Sequence, residues 1–324
     1  MSTKHTNLIV SSAPHVNNPV DTKSIMRDVV IALCPALLVA IYVFGARALV
    51  LTAVCVAACV IFEGATRKIL GRPQTIGDWS AVVTGVILAF NLPVTLPLWM
   101  AVIGCFAAIV IVKQVFGGLG QNFANPAIVG RIVLFIGFAT PMTNWAVTSR
   151  MCNVIQSTSV DGVTGATPLG LLASQGRAAA PSNLDMFLGT ISGSMGEVSA
   201  IALLIGGCYL LWRKVITWEI PVAMLASIAV MALLMHQDPI FHIFAGGAML
   251  GSIFMATDYV TSPITSKGKI IFGIGCGVIT MLIRVFGSYP EGVSFAILLM
   301  NILTPHIDRW TRTHINGVDR KAVK

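Results

Sequence analysis

Apolar and polar stretches alternate along the chain, and ten apolar segments can be distinguished. These segments comprise residues 29–45, 48–62, 80–92, 95–112, 126–139, 198–212, 216–235, 239–256, 269–287 and 292–308. Several are shorter than the roughly 20 residues that a straight helix needs to cross a bilayer. We therefore expect the segments near 80–92 and 126–139 to be tilted, or to be broken helices buried inside a bundle. The pattern predicts an all-α polytopic membrane protein with about ten transmembrane helices.

The composition supports the same class of protein. The 324 residues are 56% hydrophobic and 10% charged, whereas an ordinary soluble domain carries roughly 25% charged residues. The formal net charge of +8 would suggest a nucleic-acid partner in a soluble protein. Here the basic residues lie mostly between the apolar segments. We therefore expect the chain to be embedded in a lipid bilayer and not to bind nucleic acid.

The basic residues are divided unevenly between the polar stretches. With the N-terminus placed in the cytoplasm, 16 of the 21 lysine and arginine residues fall on the cytoplasmic side and only Arg47, Arg150 and Arg177 fall on the other. This distribution satisfies the positive-inside rule. It predicts cytoplasmic terminal segments at 1–28 and 309–324 and an extracytoplasmic loop at 140–197.

An internal repeat relates two halves of the chain at an offset of 170 residues. Val-Phe-Gly at 115–117 aligns with Val-Phe-Gly at 285–287, and each of the first five apolar segments aligns with one of the last five. Because five is odd, the predicted five-helix repeats, 29–139 and 198–308, enter the membrane in opposite directions. Such inverted repeats are common in transporters.

Breaks with proline, glycine or polar residues occur at equivalent places in the two halves. They lie at 91–97 and 117–126 in the first half, and at 261–263 and 287–292 in the second. One interpretation is that they are tight turns between helices. The other is that they are re-entrant elements lining a cofactor or ion site, because non-helical backbone occurs at membrane depth only where it is buried in protein or faces a polar cavity.

Residues 161–169 form the most distinctive stretch of the predicted outer loop, with the sequence Asp-Gly-Val-Thr-Gly-Ala-Thr-Pro-Leu. The small residues before Thr167 are expected to leave its hydroxyl sterically open. Pro168 biases Thr167 towards an extended conformation. An open, extended threonine suits a site of enzymatic modification. A flexible connector of the same composition is the alternative, and the residues alone favour that alternative.

This stretch matches a known flavinylation motif, Asp-Gly-x-[Ser/Thr]-Gly-Ala-Thr, in which a transferase joins FMN to the final threonine through a phosphoester. The specified positions are Asp161, Gly162, Thr164, Gly165, Ala166 and Thr167. Nearly the whole chain resembles the family of Rnf complex D subunits, which are relatives of the B subunits of the sodium-pumping NADH:quinone reductase. The likeness includes Ser12-Ala13-Pro14-His15, Arg72-Pro73, residues 117–126, Asp258-Tyr259, Ser262-Pro263 and residues 289–292 leading to Asn301.

The resemblance implies a membrane flavoprotein subunit of an ion-translocating ferredoxin:NAD-type oxidoreductase in a prokaryotic cell membrane. Thr167 would carry covalent FMN outside the cytoplasm, and redox chemistry would be coupled to movement of Na⁺ or H⁺. The implied partners are an FMN transferase and the Rnf A, B, C, E and G subunits. No residue of this chain is expected to act as a catalytic acid, base or nucleophile.

The resemblance also implies a second flavin, non-covalent riboflavin, nearer the cytoplasmic side. Asn122 and Asn125 are the residues carried over for it, because amide groups can hydrogen-bond to the pyrimidine edge of a flavin. Helix capping and loop closure by these asparagines is the alternative interpretation.

A few other polar residues need an explanation. Arg131 and Arg284 lie within apolar segments, so each requires a partner, a neighbouring subunit or a path to the membrane surface, and either could hold a flavin phosphate. Asp258 lies at a segment end and suits a cap better than an ion path. The cysteine and histidine spacings indicate no metal site.

A flavin-free transporter or channel is the competing function. Its inverted repeat with broken helices would look the same along the chain. Such a protein gives no reason for the motif that ends at Thr167.

Overall fold

The computed structural model describes residues 21–146, 164–165, 167–176, 181–189, 193–197, 199–287 and 292–312. Within these residues, all regular structure is helical apart from one pair of two-residue strands. The prediction of an all-helical membrane protein is confirmed at this level. Of the flavinylation motif, Asp161, Gly162 and Ala166 lie outside the described residues, as do the predicted break at 288–291 and most of the predicted terminal segments.

The first set of helices follows the first five apolar segments. It comprises α1 (Thr22–Phe44), α2 (Ala46–Ile69), α3 (Ser80–Phe90), α4 (Leu98–Phe106), which continues as a π-helix over Ala107–Gln114, and α5 (Pro126–Gly137). A 3₁₀ turn over Ile76–Asp78 precedes α3. Gly45 separates α1 from α2 with a φ of 73°, a conformation that costs glycine nothing.

Short elements follow in the middle of the chain. They are α6 (Ala139–Met142), β1 (Trp145–Ala146), β2 (Thr164–Gly165), α7 (Pro168–Gln175) and α8 (Asn183–Leu188). The two strands pair antiparallel, with Trp145 opposite Gly165 and Ala146 opposite Thr164. The sequence did not predict this pairing, because two residues are too few for an alternating pattern to be visible.

The second set of helices follows the last five apolar segments. It comprises α9 (Ala200–Trp212), α10 (Glu219–Leu234), α11 (Pro239–Phe244), α12 (Ala248–Leu250), which continues as a π-helix over Gly251–Met255, α13 (Ser266–Phe286) and α14 (Val293–Thr311). The segment 239–256, predicted as one span, is therefore interrupted. Gly246 and Gly247 both have positive φ, 62° and 67°, and end the helical path between α11 and α12.

Three of the described helices, α1, α2 and α13, are long and apolar enough to cross a membrane, with mean hydropathies of 2.1, 2.3 and 1.9. Helix α3 has only 11 residues, and nine of them are buried in the bundle. A helix that is apolar on all sides belongs in a protein interior. Of the two expectations for the segment near 80–92, a tilted helix or a broken helix buried inside a bundle, burial inside the bundle is confirmed.

The predicted break after α3 is non-helical and largely buried. Residues 91–94 and Leu96 are buried, and Arg47 covers the carbonyls of Val94 and Leu96 with hydrogen bonds of 3.4 and 3.2 Å. These two backbone carbonyls, which have left the helix, are thus satisfied by a side chain in the first turn of α2.

Helices α1 and α9 cross closely and bring the two sets together. A Cβ at Gly206 would lie 2.1 Å from the carbonyl oxygen of Ala32, so only glycine permits this approach. Towards the start of α1, Asp28 forms an ion pair of 3.0 Å with Arg213, at the end of α9. These contacts fix one side of the interface between the sets of helices.

Candidate functional site

A cleft opens at the end of the bundle where α1 begins. The starts of α1, α3 and α5, the end of α9 and the non-helical residues on both sides of Asn122 and Asp258 enclose it. Its walls are mainly aliphatic and aromatic. Its polar lining includes Ser80, Thr84, Lys113, Asn122, Asn125 and Asp258. Both sets of helices contribute, so the cleft lies at the interface between them.

Asn122 and Asn125 lie together on the lining of this cleft. Asn125 caps α5: its Oδ1 accepts a hydrogen bond from the backbone N of Ala127 (3.0 Å), and its Nδ2 donates to the Met255 carbonyl (3.2 Å). Asn122 closes its loop by donating to the Ala124 carbonyl (3.0 Å). Helix capping is therefore confirmed for Asn125 and loop closure for Asn122. Oδ1 of Asn122 has no hydrogen-bond donor among the described residues and remains available to a ligand.

A buried ion pair stands in one wall of the cleft. Nζ of Lys113, near the end of the π-helix that extends α4, lies 2.7 Å from Oε2 of Glu63 and 2.6 Å from the hydroxyl of Ser80. The side chains of Lys113 and Glu63 are 3% and 0% exposed. Thr75 donates a further hydrogen bond of 2.8 Å to Oε1 of Glu63. Lys113 lines the cleft, whereas Glu63 lies behind it.

Asp258 lines the cleft beyond the π-helix that ends at Met255. Burial raises the pKa of its carboxyl, while the Thr261 hydroxyl, which donates to Oδ2 across 3.1 Å, and the charge of Lys113 act in the opposite direction. Asp258 does not cap the preceding helix, whose C-cap is Ala256, so the preferred expectation of a cap is wrong. Its position on the cleft wall is compatible with the alternative, a residue that lines a path.

Thr167 is extended, as Pro168 predicts, with φ −61° and ψ 158°. The expectation of a sterically open hydroxyl is wrong, because Thr167 is only 5% exposed. It is the N-cap of α7, and its Oγ1 accepts a hydrogen bond of 3.1 Å from the backbone N of Gly170. Helix α7 starts at Pro168, so the hydroxyl turns back over the first helical turn instead of facing solvent.

Helix α7 is held in place by a small apolar cluster made by Leu169, Met186, Phe241 and Ala245. Leu169 Cδ1 and Arg284 Nη2 both lie within 3 Å of the position that a Cβ on Gly246 would occupy. Glu197 lies against the neighbouring Gly247, and Gly196 donates a hydrogen bond to the carbonyl of Phe90 at the end of α3, whereas Ser80 at the start of α3 lines the cleft. Thr167 and the cleft therefore lie towards opposite ends of the bundle.

Arg131 finds its partners inside the chain. Its Nη1 donates to Oδ1 of Asn91 (2.9 Å) and to the hydroxyl of Ser294 (3.1 Å), and the residue is 6% exposed. A route to the membrane surface is therefore excluded for this side chain. The cation bridges the end of α3 and the start of α14.

Arg284 also binds within the chain. It donates to the carbonyls of His242 (2.6 Å), Ala245 (2.7 Å) and Gly246 (3.3 Å). These carbonyls lie at the interruption between α11 and α12, where the helical hydrogen bonds stop. Arg284 therefore stabilises the broken helix, as an arginine with several fixed donors can.

Known proteins are similar to this chain over nearly its whole length. The NQR2, RnfD, RnfE family matches residues 9–317. The D subunit of the Na⁺-translocating ferredoxin:NAD⁺ oxidoreductase complex of Acetobacterium woodii is 52% identical over 316 residues, which cover 97% of this chain and 96% of that protein. The chain belongs to the NQR2, RnfD, RnfE family.

Two further relatives in this family are also similar over nearly their full lengths. The D subunit of the proton-translocating ferredoxin:NAD⁺ oxidoreductase complex of Clostridium ljungdahlii is 42% identical over 318 residues, covering 94% of each chain. The D subunit of an ion-translocating oxidoreductase complex of Halorhodospira halophila is 38% identical over 340 residues, covering 95% of each. The resemblance seen in the sequence is confirmed. The names of these relatives specify different translocated ions, so family membership does not determine which ion is translocated.

The ion pair of Lys113 and Glu63 was missed by sequence reasoning. Lys113 was assigned to a cytoplasmic stretch with the other basic residues, but it is buried against Glu63. The sequence did contain an indication of this pair. Glu63 directly follows the predicted segment 48–62, Lys113 directly follows 95–112, and both segments are predicted to end on the same side of the membrane. Opposite charges at the ends of two such segments indicate a pair. Among the described residues, no group of three or more His, Cys, Asp and Glu side chains could hold a metal ion.

Proposed function

We propose that this chain is the membrane flavoprotein subunit of an ion-translocating ferredoxin:NAD⁺ oxidoreductase, with FMN joined to Thr167 and a second flavin, riboflavin, in the cleft. The observation that carries the proposal is the family membership together with the complete motif at 161–167. Relatives at 52% and 42% identity are named as D subunits of such complexes. The partners are then the Rnf A, B, C, E and G subunits, and an FMN transferase is needed for maturation.

The surroundings of Thr167 fit a phosphoester. Its Oγ1 is at the start of α7, where the backbone N–H groups of the first turn point towards the N-cap. Helix N-termini favour phosphate groups because these N–H groups and the helix dipole both attract negative charge. A covalent anchor at Thr167 prevents the loss of a flavin from a compartment that has no flavin supply.

The cleft fits a flavin ring without a phosphate. Its lining combines aliphatic and aromatic walls with a few polar side chains, which is the usual composition of a small-molecule site. The free Oδ1 of Asn122 can accept a hydrogen bond from the pyrimidine edge of the ring, and the aliphatic walls suit the apolar face. Asn125 has fewer free atoms, since it already caps α5 and binds Met255. We therefore assign recognition to Asn122 and support to Asn125.

The same proposal includes the ten-span arrangement. In this arrangement ten apolar segments form two inverted repeats with both termini in the cytoplasm and Thr167 outside it, and the distribution of basic residues supports this orientation. The cleft and Thr167 then lie on opposite sides of the membrane. A bound flavin accepts and passes one or two electrons, and this chain positions it and excludes water. Electron transfer between the two sides would be coupled to movement of Na⁺ or H⁺.

The proposal is tested by the covalent flavin itself. Full-length protein from cells that contain the transferase is resolved on a denaturing gel and viewed under ultraviolet light, and the peptide containing Thr167 is weighed by mass spectrometry. We expect a fluorescent band and the added mass of FMN in the parent. Both should be lost in Thr167→Val and kept in Thr143→Val, a threonine beyond α6 that lies outside the motif. An unmodified peptide from assembled wild-type complex contradicts the proposal and favours a flavin-free transporter.

The orientation is tested separately. Ser174 is exposed on α7, and a cysteine placed there should react with an impermeant thiol reagent from the extracytoplasmic side. Cys34, Cys152 and Cys208 are first replaced by serine to remove competing thiols. Labelling only after the cytoplasmic side has been opened reverses the assigned orientation.

A further inference from the structure

We infer that Lys113 is a positioning residue for electron transfer, which raises the redox potential of the cleft flavin by holding a positive charge at the cleft wall. This inference rests on the proposed second flavin. It adds a role for a residue outside the flavin-contacting asparagines.

The geometry directs the positive end of the ion pair towards the cleft. Lys113 lines the cleft, as does Ser80, which accepts a hydrogen bond from its Nζ, whereas Glu63, the partner of Lys113 at 2.7 Å, is not part of the lining. An ammonium has three N–H donors. Glu63 and Ser80 accept two of them, and the third has no acceptor among the described residues. Thr75 bonds Glu63 and Ser80 bonds Lys113, so the ammonium has little freedom to turn away.

The burial of the pair makes its field strong. Both side chains are almost inaccessible, and charges act over longer distances where water is excluded. Two electrons and one proton convert the neutral oxidised ring into a ring with one negative charge. A nearby ammonium stabilises this product more than the neutral starting ring and so raises the potential. Asp258 is an ionisable group on the same lining, and its negative charge acts on the ring in the opposite direction.

The test measures the potential of the cleft flavin directly. The full chain carrying Thr167→Val, which has no covalent flavin, is placed in lipid nanodiscs with excess riboflavin. The bound flavin is then titrated with dithionite against redox dyes and followed by visible absorbance. In Lys113→Met, we expect the equilibrium constant for reduction to fall at least about tenfold, which is about 30 mV for a two-electron couple. Lys113→Arg should restore the parental potential.

Two further variants separate charge from folding. Removal of Lys113 alone leaves Glu63 buried without its partner, which is strongly destabilising in general. The double variant Lys113→Met with Glu63→Gln avoids this unpaired charge, and it should also lower the potential because the end of the pair that faced the cleft is gone. Lys269→Met serves as the matched control, since Lys269 bonds Thr217 outside the cleft, and it should leave the potential unchanged.

Several results overturn the inference. Equal potentials in the parent and in the double variant show that Lys113 does not act on the flavin. An equal fall in Lys269→Met shows a general effect of charge. If the parent chain binds no riboflavin, the proposed second cofactor is refuted, and the role of Lys113 is refuted with it. Loss of oxidised riboflavin in both Lys113 variants assigns the lysine to binding instead.

Discussion

Nη1 of Arg131 donates a hydrogen bond of 2.9 Å to Oδ1 of Asn91, so the cation in α5 is held by the residue at which α3 ends. The Nδ2 group of Asn91 in turn donates to the carbonyl of Ile87 across 2.7 Å, which fixes the amide with its oxygen towards Arg131. Ser294 supplies a second acceptor from α14. A buried cation thereby links the break after α3 to the second set of helices.

This relationship predicts that Asn91→Leu destabilises the protein. The substitution removes an acceptor from a buried charged donor, which costs about 1.5–3 kcal/mol in typical cases. We expect the midpoint of thermal unfolding in detergent to fall, and the exposed Asn144→Leu to leave it unchanged. A midpoint for Asn91→Leu that equals the parental value would show that this hydrogen bond contributes nothing to stability.

Gly246 is predicted to tolerate no side chain. Its φ of 62° is unfavourable for other residues, and a Cβ would lie 2.3 Å from Leu169 Cδ1 and 2.7 Å from Arg284 Nη2. Gly246→Ala should therefore lower the free energy of unfolding by about 1–3 kcal/mol, with a displacement of α7. The measurement is chemical denaturation, combined with limited proteolysis of α7. Gly137→Ala is the control because a Cβ there meets no atom within 4 Å. Similar losses in both variants contradict the contact at Gly246.

The sequence predicted the helices well and the side-chain contacts poorly. Uninterrupted apolar runs predict helices α1 and α2, and Pro93 and Pro97 predict the break after α3. The interruption at Gly246 was missed because two glycines in an apolar run are also compatible with a continuous membrane helix. The side chain that stabilises the interruption, Arg284, comes from a helix about 40 residues further along the chain.

For the candidate site, too, the sequence predicted local backbone structure but not the contacts between distant residues. The motif identified Thr167, and the proline that follows it predicted the extended backbone. Its burial depends on Leu169 meeting Phe241 and Ala245, which local sequence does not encode. Asn122 and Asp258 are brought to one cleft only by the meeting of the two sets of helices.

The carboxyl of Asp258 is predicted to make stability depend on pH. Burial raises its pKa in the folded state above the value of about 3.9 expected for an unfolded chain. The folded state therefore binds the proton more tightly, and the contribution is complete below about pH 4 and is lost as the pH rises through the raised pKa. Between about pH 4 and pH 7, the unfolding midpoint of the wild type should fall relative to that of Asp258→Asn. A constant difference between the two proteins over this range contradicts the raised pKa.

The burial of Thr167 predicts that flavin attachment requires α7 to open. Thr167 is 5% exposed and its hydroxyl accepts a hydrogen bond from Gly170, so an enzyme cannot reach it in the packed state. Leu169→Ala lies outside the flavinylation motif and weakens the cluster that holds α7, at a typical cost of about 2–5 kcal/mol for a buried leucine. The fraction of chains with α7 open should rise, and the initial rate of FMN transfer should rise with it.

The rate is followed by in-gel fluorescence after purified transferase is added to unmodified protein in nanodiscs. Leu184→Ala, an exposed leucine on α8, should leave it unchanged. A slower or equal rate in Leu169→Ala means that the transferase acts on the packed form, and that the N-cap opens without the movement of α7.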